Sequence, residues 1–438
     1  MLESAREDTP KSQSTESGFE RVAVVGLGYI GLPTAAVIAD RGIDVAGIDI
    51  RNDVVQTVNR GEIHIVEPAL DSVVRSAVQA GRLTAYSEPV EADAFLIAVP
   101  TPITADKRAD VDYVMAAAAA ISPRLKKGDL VVLESTSPVG TTEAMVECMA
   151  AIRPDLSFPK RGGEPQDIFV AYCPERVLPG KVVEELVSND RAIGGMTSAC
   201  TARAIALYRT FVEGELVPTD TRSAELCKLA ENAFRDVNIA YANELANVCD
   251  ALDMDVWEVI SIANRHPRVN ILQPGPGVGG HCIAVDPWFI AEAAPKDTPV
   301  IQSARRVNDA RPRRARDRIF AAVDDVISQG IASPTIALLG LSFKPDIDDL
   351  RGSPAIEVAE MVVGSAPGKV LVVEPHIASL PSSLESETSR LVSFEAALAQ
   401  ADVVVLLVNH QAFEPAKLLE CGKRLLDFRG VTAACSKS

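Results

Sequence analysis

Cys282 closes the run Pro274-Gly275-Pro276-Gly277-Val278-Gly279-Gly280-His281, in which the glycines let main chain come close to a ligand. A thiol in such a loop is suited to covalent chemistry, because a thiolate attacks a carbonyl carbon readily near neutral pH. The chain has eight cysteines, at positions 148, 173, 200, 227, 249, 282, 421 and 435, with no Cys-x-x-Cys pair. That spread fits reduced thiols better than a disulfide framework or a zinc site, and no metal is expected. Away from Cys282 the ordinary reading of each is a small core residue. Asp286, four residues after Cys282, begins Asp-Pro-Trp and reads either as a catalytic carboxylate or as the N-cap of a helix. Lys228, Asn232 and Arg235 fall at i, i+4 and i+7 and share a face of a predicted helix.

A second constellation lies near the N-terminus. The apolar run Val22 to Val25 leads into Gly26-Leu27-Gly28-Tyr29-Ile30-Gly31, helix-compatible sequence follows from Leu32, and Asp49 ends the next apolar run. Gly-rich turns are common, but strand, turn, helix and acid together match what a dinucleotide requires. Gly26 makes the tight turn, Gly28 lets backbone reach the pyrophosphate, and Gly31 brings the helix close to the sheet. Asp49 is placed to accept from the adenosine ribose and to repel a 2′-phosphate, which favours NAD over NADP. Its plainer reading is a strand-end turn residue, and Arg51 nearby could accommodate a phosphate.

These residues need a scaffold, and the apolar pattern supplies one. Strand-length runs at Val22 to Val25, Val45 to Ile50, Ala94 to Val99 and Leu130 to Leu133 alternate with helix-length segments, the rhythm of a doubly wound parallel sheet. Further runs at Ile168 to Cys173 and Arg191 to Ile193 complete this domain, which spans 21–218 after a disordered tail of residues 1–20. From Thr221 to Asn264 the sequence reads as one continuous helix, ended by His266-Pro267, and helical sequence resumes to Gln329. Strands at Thr335 to Leu341, Val370 to Glu374, Val403 to Val408 and Leu425 to Phe428 then build a second α/β domain. The fold expected is α/β: two Rossmann-like doubly wound domains, 21–218 and 331–438, joined by a helical central domain, 219–330, with one long helix.

The glycine turn, Cys173-Pro174-Glu175-Arg176, Lys228-Leu229-Ala230-Glu231-Asn232, Gly277 to Cys282 and Ser342-Phe343-Lys344-Pro345 together resemble the UDP-glucose/GDP-mannose dehydrogenase family, in the family's order and from about Arg21 onward. The resemblance implies an NAD-dependent four-electron oxidation of a nucleotide sugar at C6, through a hemithioacetal and then a thioester on Cys282. It implies catalytic roles for Cys282, Lys228, Glu175 and Asp286, Lys228 serving the alcohol proton or the oxyanion and the two acids the water. Gly26, Gly28, Tyr29, Ile30, Gly31, Asp49, Thr101, Thr136 and Arg351 are implied for the cofactor. Arg176, Val177, Lys228, Asn232, Arg235, His266, Arg268, Gly279, Phe343 and Lys344 are implied for the substrate. Relatives acting on UDP-glucose typically carry Gly-Phe-Gly-Gly-Ser-Cys-Phe and then Lys-Asp; Val278, His281, Ile283 and Val285 depart from this. With His266-Pro267-Arg268-Val269-Asn270, they resemble the branch acting on UDP-linked N-acetylmannosamine.

A net charge of -17 opposes attraction to nucleic acid or anionic membranes, so a diphosphate has to be held by a local basic cluster. The polar first twenty residues resemble no secretory signal, and no apolar run reaches membrane-spanning length, so a cytoplasmic protein is expected. The long helix points to a homodimer through the central domain. Competing readings are the same chemistry on UDP-glucose or another UDP-N-acetylhexosamine, a catalytically silent nucleotide-sugar binder, and a two-electron β-hydroxyacid dehydrogenase. Lys228 and Cys282 speak against silence; the Cys loop and the third domain speak against the last. The Asp49 reading is checked by steady-state kinetics with both cofactors: NAD is strongly preferred by kcat/KM, and Asp49→Asn narrows the gap. Equal kcat/KM with NADP in the wild type overturns it.

Overall fold

The structure, a computed structural model, describes residues 18–432 except 105, 162, 164, 165, 179 and 281. Contacts gather the chain into two compact units, one reaching to Ala230 and the other starting at Glu231. Of the expected tail, residues 1–17 lie outside the described residues. Its end belongs to the fold: Phe19 is fully buried beneath the Arg203 guanidinium, 3.8 Å from the ring centroid, and Glu20 donates its backbone N–H to Asp93.

The first unit is built on an eight-stranded sheet of order β3-β2-β1-β4-β5-β6-β7-β8. The strands are β1 (Arg21–Val25), β2 (Asp44–Ile48), β3 (Leu83–Tyr86), β4 (Ala94–Ile97), β5 (Leu130–Leu133), β6 (Phe169–Tyr172), β7 (Arg191–Gly195) and β8 (Leu216–Asp220). All neighbours are parallel except β6 and β7. Helices cover both faces, so successive residues of the inner strands enter different cores: Val22, Leu130 and Val132 enter one, Ala23, Val131 and Leu133 the other. This double burial is why those strands read as unbroken apolar runs.

The second unit holds a five-stranded parallel sheet of order β11-β10-β9-β12-β13, with β9 (Ile336–Leu339), β10 (Val370–Val373), β11 (Ser389–Leu391), β12 (Val403–Leu406) and β13 (Arg424–Asp427). Pattern reading misses β3, β8 and β11, and all three are edge strands. An edge strand needs no continuous apolar run; in β3 buried and exposed residues alternate. Pro218, expected to mark the end of the first domain, lies inside β8, where a residue without an N–H is tolerated because only β7 pairs with it.

The expected single helix from Thr221 to Asn264 is two helices, Thr221–Ala251 and Val256–Ala263. Asp253 adopts φ 55 and the Met254 N–H turns back to the Cys249 carbonyl, ending the first helix. Asp255 then caps the second by accepting from the Trp257 N–H. Nor is there one long helix: Pro299–Ser328 is of similar length, with Pro312 inside it.

A buried polar ladder ties these two long helices together. Arg305 donates to Asp236 at 2.6 Å, Asn308 donates to the same carboxylate at 2.8 Å, and Asn243 donates to Asn308 at 2.9 Å. The Gly/Pro loop hangs from its end, since the Gly275 N–H donates to Asn243 and the Gly275 carbonyl accepts from Arg311. Loop backbone with no sheet partner is thereby satisfied inside the protein.

Candidate active site

In the first unit the glycine turn sits at the carboxyl ends of β1 and β4, where strand order reverses and open α/β sheets bind ligands. Gly26 has φ +92, and a Cβ there would lie 2.6 Å from the Ala98 carbonyl oxygen. At Gly31 a Cβ would stand 1.8 Å from the Gly26 carbonyl oxygen, so the helix Gly31–Asp40 lies directly on the turn. Gly28 is different: nothing lies within 4 Å of its missing Cβ, the open space a bound pyrophosphate needs beside the backbone. These observations fit a dinucleotide.

Asp49 accepts from the Leu27 N–H at 3.0 Å and the Arg51 N–H at 2.9 Å. The turn-residue and ligand readings therefore coexist, because each carboxylate oxygen keeps a further acceptor position. Tyr29 is half exposed and Ile30 partly so. The strand-end residues Thr101 and Thr136 are joined, the Thr101 hydroxyl donating to the Thr136 carbonyl at 2.5 Å. No motif pointed to His64, whose imidazole lies among Asp49, Arg51 and Asp53; burial, then Arg51, pushes it below its ordinary value.

Three acidic or basic groups meet behind the next strand ends. Glu175 is buried, with one oxygen 2.7 Å from the Arg191 guanidinium and the other accepting the Arg176 N–H at 2.6 Å. Glu134, after β5, accepts from the Tyr208 hydroxyl, and its second oxygen is buried without a partner. Burial raises Glu134 to about 7, against the opposing pull of Tyr208 and Arg191. The Arg176 guanidinium donates to the Asp190 carbonyl. Val177 packs on the hydrophobic core. Lys228 is half-buried.

In the second unit Cys282 is exposed, whereas Cys173 is buried and pushed up to about 12, mainly by desolvation. Exposure therefore separates the candidate nucleophile from Cys173, whose thiolate is suppressed. The Asp286 N–H donates to the Cys282 carbonyl at 2.9 Å, forming the turn into helix Asp286–Ala293. Asp286 is the first residue of that helix, with Val285 at the N-cap position; it is buried and its carboxylate accepts from Asn232 at 2.6 Å. Asp286 thus stands one residue past the N-cap position, and its carboxylate binds a residue 54 positions earlier.

The same unit brings the Cys loop and the Ser342-Phe343-Lys344 segment together. A Cβ at Gly279 would lie 2.5 Å from the Pro354 ring and 3.1 Å from the Phe343 side chain, and one at Gly280 would lie 3.2 Å from the Phe343 ring. Buried Glu374 steadies that segment by accepting from the Leu341 and Ser342 N–H groups at 2.7 and 3.2 Å. Burial works to raise the Glu374 carboxyl, but His410 and the backbone donors outweigh it and hold it below its ordinary value. Among the described residues, Asp346, His376 and His410 bring possible metal-ligand atoms within 4.8 Å of one another. His410 Nδ1 already accepts the Asp346 N–H at 2.9 Å, which ties that group to loop positioning.

Arg235, His266 and Arg268 are exposed, and Lys344 is half-buried. The His266 to Asn270 segment is a loop closed by Asn264, which both donates to and accepts from Ile271. Arg351 forms a bidentate pair with Asp349 at 2.8 and 2.9 Å. His281, one of the residues read for sugar choice, lies outside the described residues. Sequence reading also overlooked the roles of Arg191, Tyr208, Asn243 and Arg311, which match no short motif and acquire partners only through folding.

Three successive parts of the UDP-glucose/GDP-mannose dehydrogenase family match the chain: the NAD binding domain at residues 20–212, the central domain at 222–310 and the UDP binding domain at 337–434. An NDP-N-acetyl-D-galactosaminuronic acid dehydrogenase from Ralstonia nicotianae is 58% identical over 95% of this chain and 97% of its own. A UDP-N-acetyl-D-mannosamine dehydrogenase from Yersinia pestis is 56% identical over 94% of this chain and 99% of its own. Among solved structures, UDP-D-ManNAc dehydrogenase from Pyrococcus horikoshii superposes with a TM-score of 0.83 at 36% identity, covering 94% of this chain and 96% of that one.

The buried acid at Glu134 has a measurable consequence. Its carboxyl titrates near 7 in the folded protein against 4.5 as its ordinary value, so the stability it confers is complete below about pH 4.5 and is lost as pH rises through about 7. Relative to Glu134→Gln, the wild type should lose on the order of 3 kcal/mol across that window in urea unfolding. A difference that stays constant between pH 4 and 8 overturns the assignment.

Proposed function

The chain belongs to the UDP-glucose/GDP-mannose dehydrogenase family, NAD-dependent oxidoreductases of nucleotide-linked sugars, and from that premise we propose that its own substrate is UDP-N-acetyl-D-mannosamine, oxidised at C6 to the uronate. The observation that carries this is the identity of 56–57% to UDP-N-acetyl-D-mannosamine dehydrogenases over at least 90% of the chain. The departures from the UDP-glucose pattern at Val278, Ile283 and Val285 support it. A second reading has equal footing in identity: the Ralstonia relatives, at 57–58%, are named for N-acetylgalactosaminuronate. Both readings share a 2-acetamido sugar and differ in the configuration of the ring.

Bound NAD supplies the hydride acceptor for each of the two oxidations. The residues that hold it in this reading are the Gly26 to Gly31 turn, Asp49, Thr101, Thr136 and Arg351. Lys228 serves the C6 hydroxyl either as the acceptor of its proton or as a cation that steadies charge on that oxygen. The Cys282 thiolate adds to the resulting aldehyde, and the hemithioacetal loses its second hydride to become a thioester. Glu175, with Asp286 held by Asn232, directs the water that cleaves the thioester and frees the thiol. The balance is one alcohol, one water and two NAD to one carboxylate, two NADH and three protons. Arg176, Arg235, Arg268 and Lys344 supply the cations for the diphosphate, with Val177, His266, Gly279 and Phe343 lining the remainder.

The reading is tested by NADH yield with UDP-linked N-acetylmannosamine, N-acetylgalactosamine, N-acetylglucosamine and glucose. Complete conversion gives two NADH per sugar with a carboxylate product, and the manno substrate has the highest kcat/KM. A galacto preference moves the assignment to the second reading, and one NADH with aldehyde accumulating rules out the covalent route. Cys282→Ala abolishes uronate formation while NAD binding persists.

The homodimer through the central helices has support of its own. Phe234, Tyr241 and Val248 recur every seven residues on one helix and stand 67%, 54% and 47% exposed, the pattern of a helix seam that a second copy covers. Sedimentation equilibrium should give a dimer for the wild type and a monomer for the double variant Phe234→Glu, Tyr241→Glu. A monomeric wild type excludes the seam.

A further inference from the structure

The one antiparallel pairing in the first sheet moves a charge to the ligand edge. Because β7 runs against β6, its first residue lies beside the carboxyl end of β6, not at the opposite edge. The observed partners are Ala171 with Gly195 and Tyr172 with Gly194; continued beyond β6, this register sets Glu175 opposite Arg191. Their side chains meet at 2.7 Å, both buried. The three adjacent strands β5, β6 and β7 thus bring Glu134, Glu175 and Arg191 to one edge.

The setting of Arg191 is unusual for a cation. Beyond Glu175, its guanidinium donates to the Leu186 carbonyl at 3.2 Å, lies 5.9 Å from the centre of the Tyr208 ring, and keeps Nε buried without a partner. The titratable groups around it are Glu175 and Cys173 at the end of β6, Glu134 after β5 and Tyr208 on helix Ser198–Tyr208. Removing such a pair from water costs several kcal/mol, and apolar residues of the same volume commonly serve stability as well. Packing alone therefore does not account for an Arg at this position. A buried carboxyl without a cation takes up a proton and ceases to be a base.

We propose that Arg191 is the positioning residue for Glu175, fixing its carboxylate at the ligand edge, with Tyr208 and Glu134 closing the same buried network behind it. Arg191 touches neither sugar nor cofactor in this arrangement; it acts through Glu175. The inference rests on the reading of Glu175 as the group that directs water to the thioester.

The test compares purified Arg191→Met, Arg191→Lys, Glu175→Gln and the double variant Glu175→Gln, Arg191→Met, with kcat, both KM values, the pH profile and the mass of Cys282 during turnover. Arg191→Met should lower kcat at least about tenfold, as for a displaced general base, with each KM within about twofold. It should also move the acid limb of the profile to higher pH and let sugar accumulate on Cys282. Arg191→Lys should restore part of the rate and return the limb towards the wild type, and the double variant should be no slower than Glu175→Gln alone. Multiplying losses in the double variant, a change in KM alone, or a folded Lys variant no better than Met overturns the proposal. If Arg191→Met does not fold, Arg191→Lys decides: a limb moved upward at unchanged KM supports the proposal, and an unmoved limb overturns it. Near-wild-type kcat in Glu175→Gln removes the underlying reading of Glu175, an outcome separate from a slow Glu175→Gln with normal Arg191 variants.

Discussion

A loop that carries chemistry leaves backbone N–H groups outside any helix or sheet ladder, and this protein answers repeatedly with one carboxylate that collects them. Asp49 takes the N–H groups of Leu27 and Arg51, and Glu67 those of Gly180 and Val182. Glu225 takes those of Gly140 and Thr142, and Glu374 those of Leu341, Ser342 and His376. Asp427 does the same for Arg429, Gly430 and Thr432. The device satisfies both sides at once: a carboxylate needs donors when it leaves water, and an irregular loop has donors with no acceptor. It fixes a loop without a regular element.

The Cys loop is held by the complementary means. Asn243 and Arg311 grip the two polar atoms of the Gly275 peptide, and the missing side chains at Gly279 and Gly280 let the loop lie against Phe343 and Pro354. A side chain at Gly279 would force apart a contact already at van der Waals limits. Cys282 itself is exposed at the end of a loop whose base is buried. That combination suits covalent catalysis, which needs an accessible thiol with little freedom to wander.

Charge is handled in the same economical way despite the overall excess of acid. Two buried cations have assigned anions, Arg191 with Glu175 and Arg305 with Asp236, while buried Arg311 donates to the Gly275 carbonyl and to Asn247. Arg235 and Arg268 are exposed. The protein's acidity thus coexists with a diphosphate site, because binding depends on local cations and hardly on the net sum.

Much of this was written in the chain itself. The inner strands were legible because a parallel strand buried on both faces has to be apolar at every position, and the glycine turn because only glycine fits Gly26 and Gly31. The exposed thiol was legible too, since Gly/Pro-rich sequence around Cys282 excludes regular structure. The edge strands β3, β8 and β11 were not, because half-solvated pairing leaves no continuous apolar signal. The break at Asp253 was hidden by helix-compatible neighbours; a turn made by one left-handed residue has little weight against forty residues of favourable propensity. Asp286 shows the limit most plainly. Its local sequence, Asp-Pro-Trp, favours a cap, yet its carboxylate meets Asn232, and nothing within a few residues of either specifies that contact. The same holds for Glu175 opposite Arg191, which depends on one strand running against its neighbour. Local sequence determined which elements form and which residues are chemically apt, because propensity and burial act over short spans; only the tertiary structure decided which charges face each other, because that depends on strand direction and register.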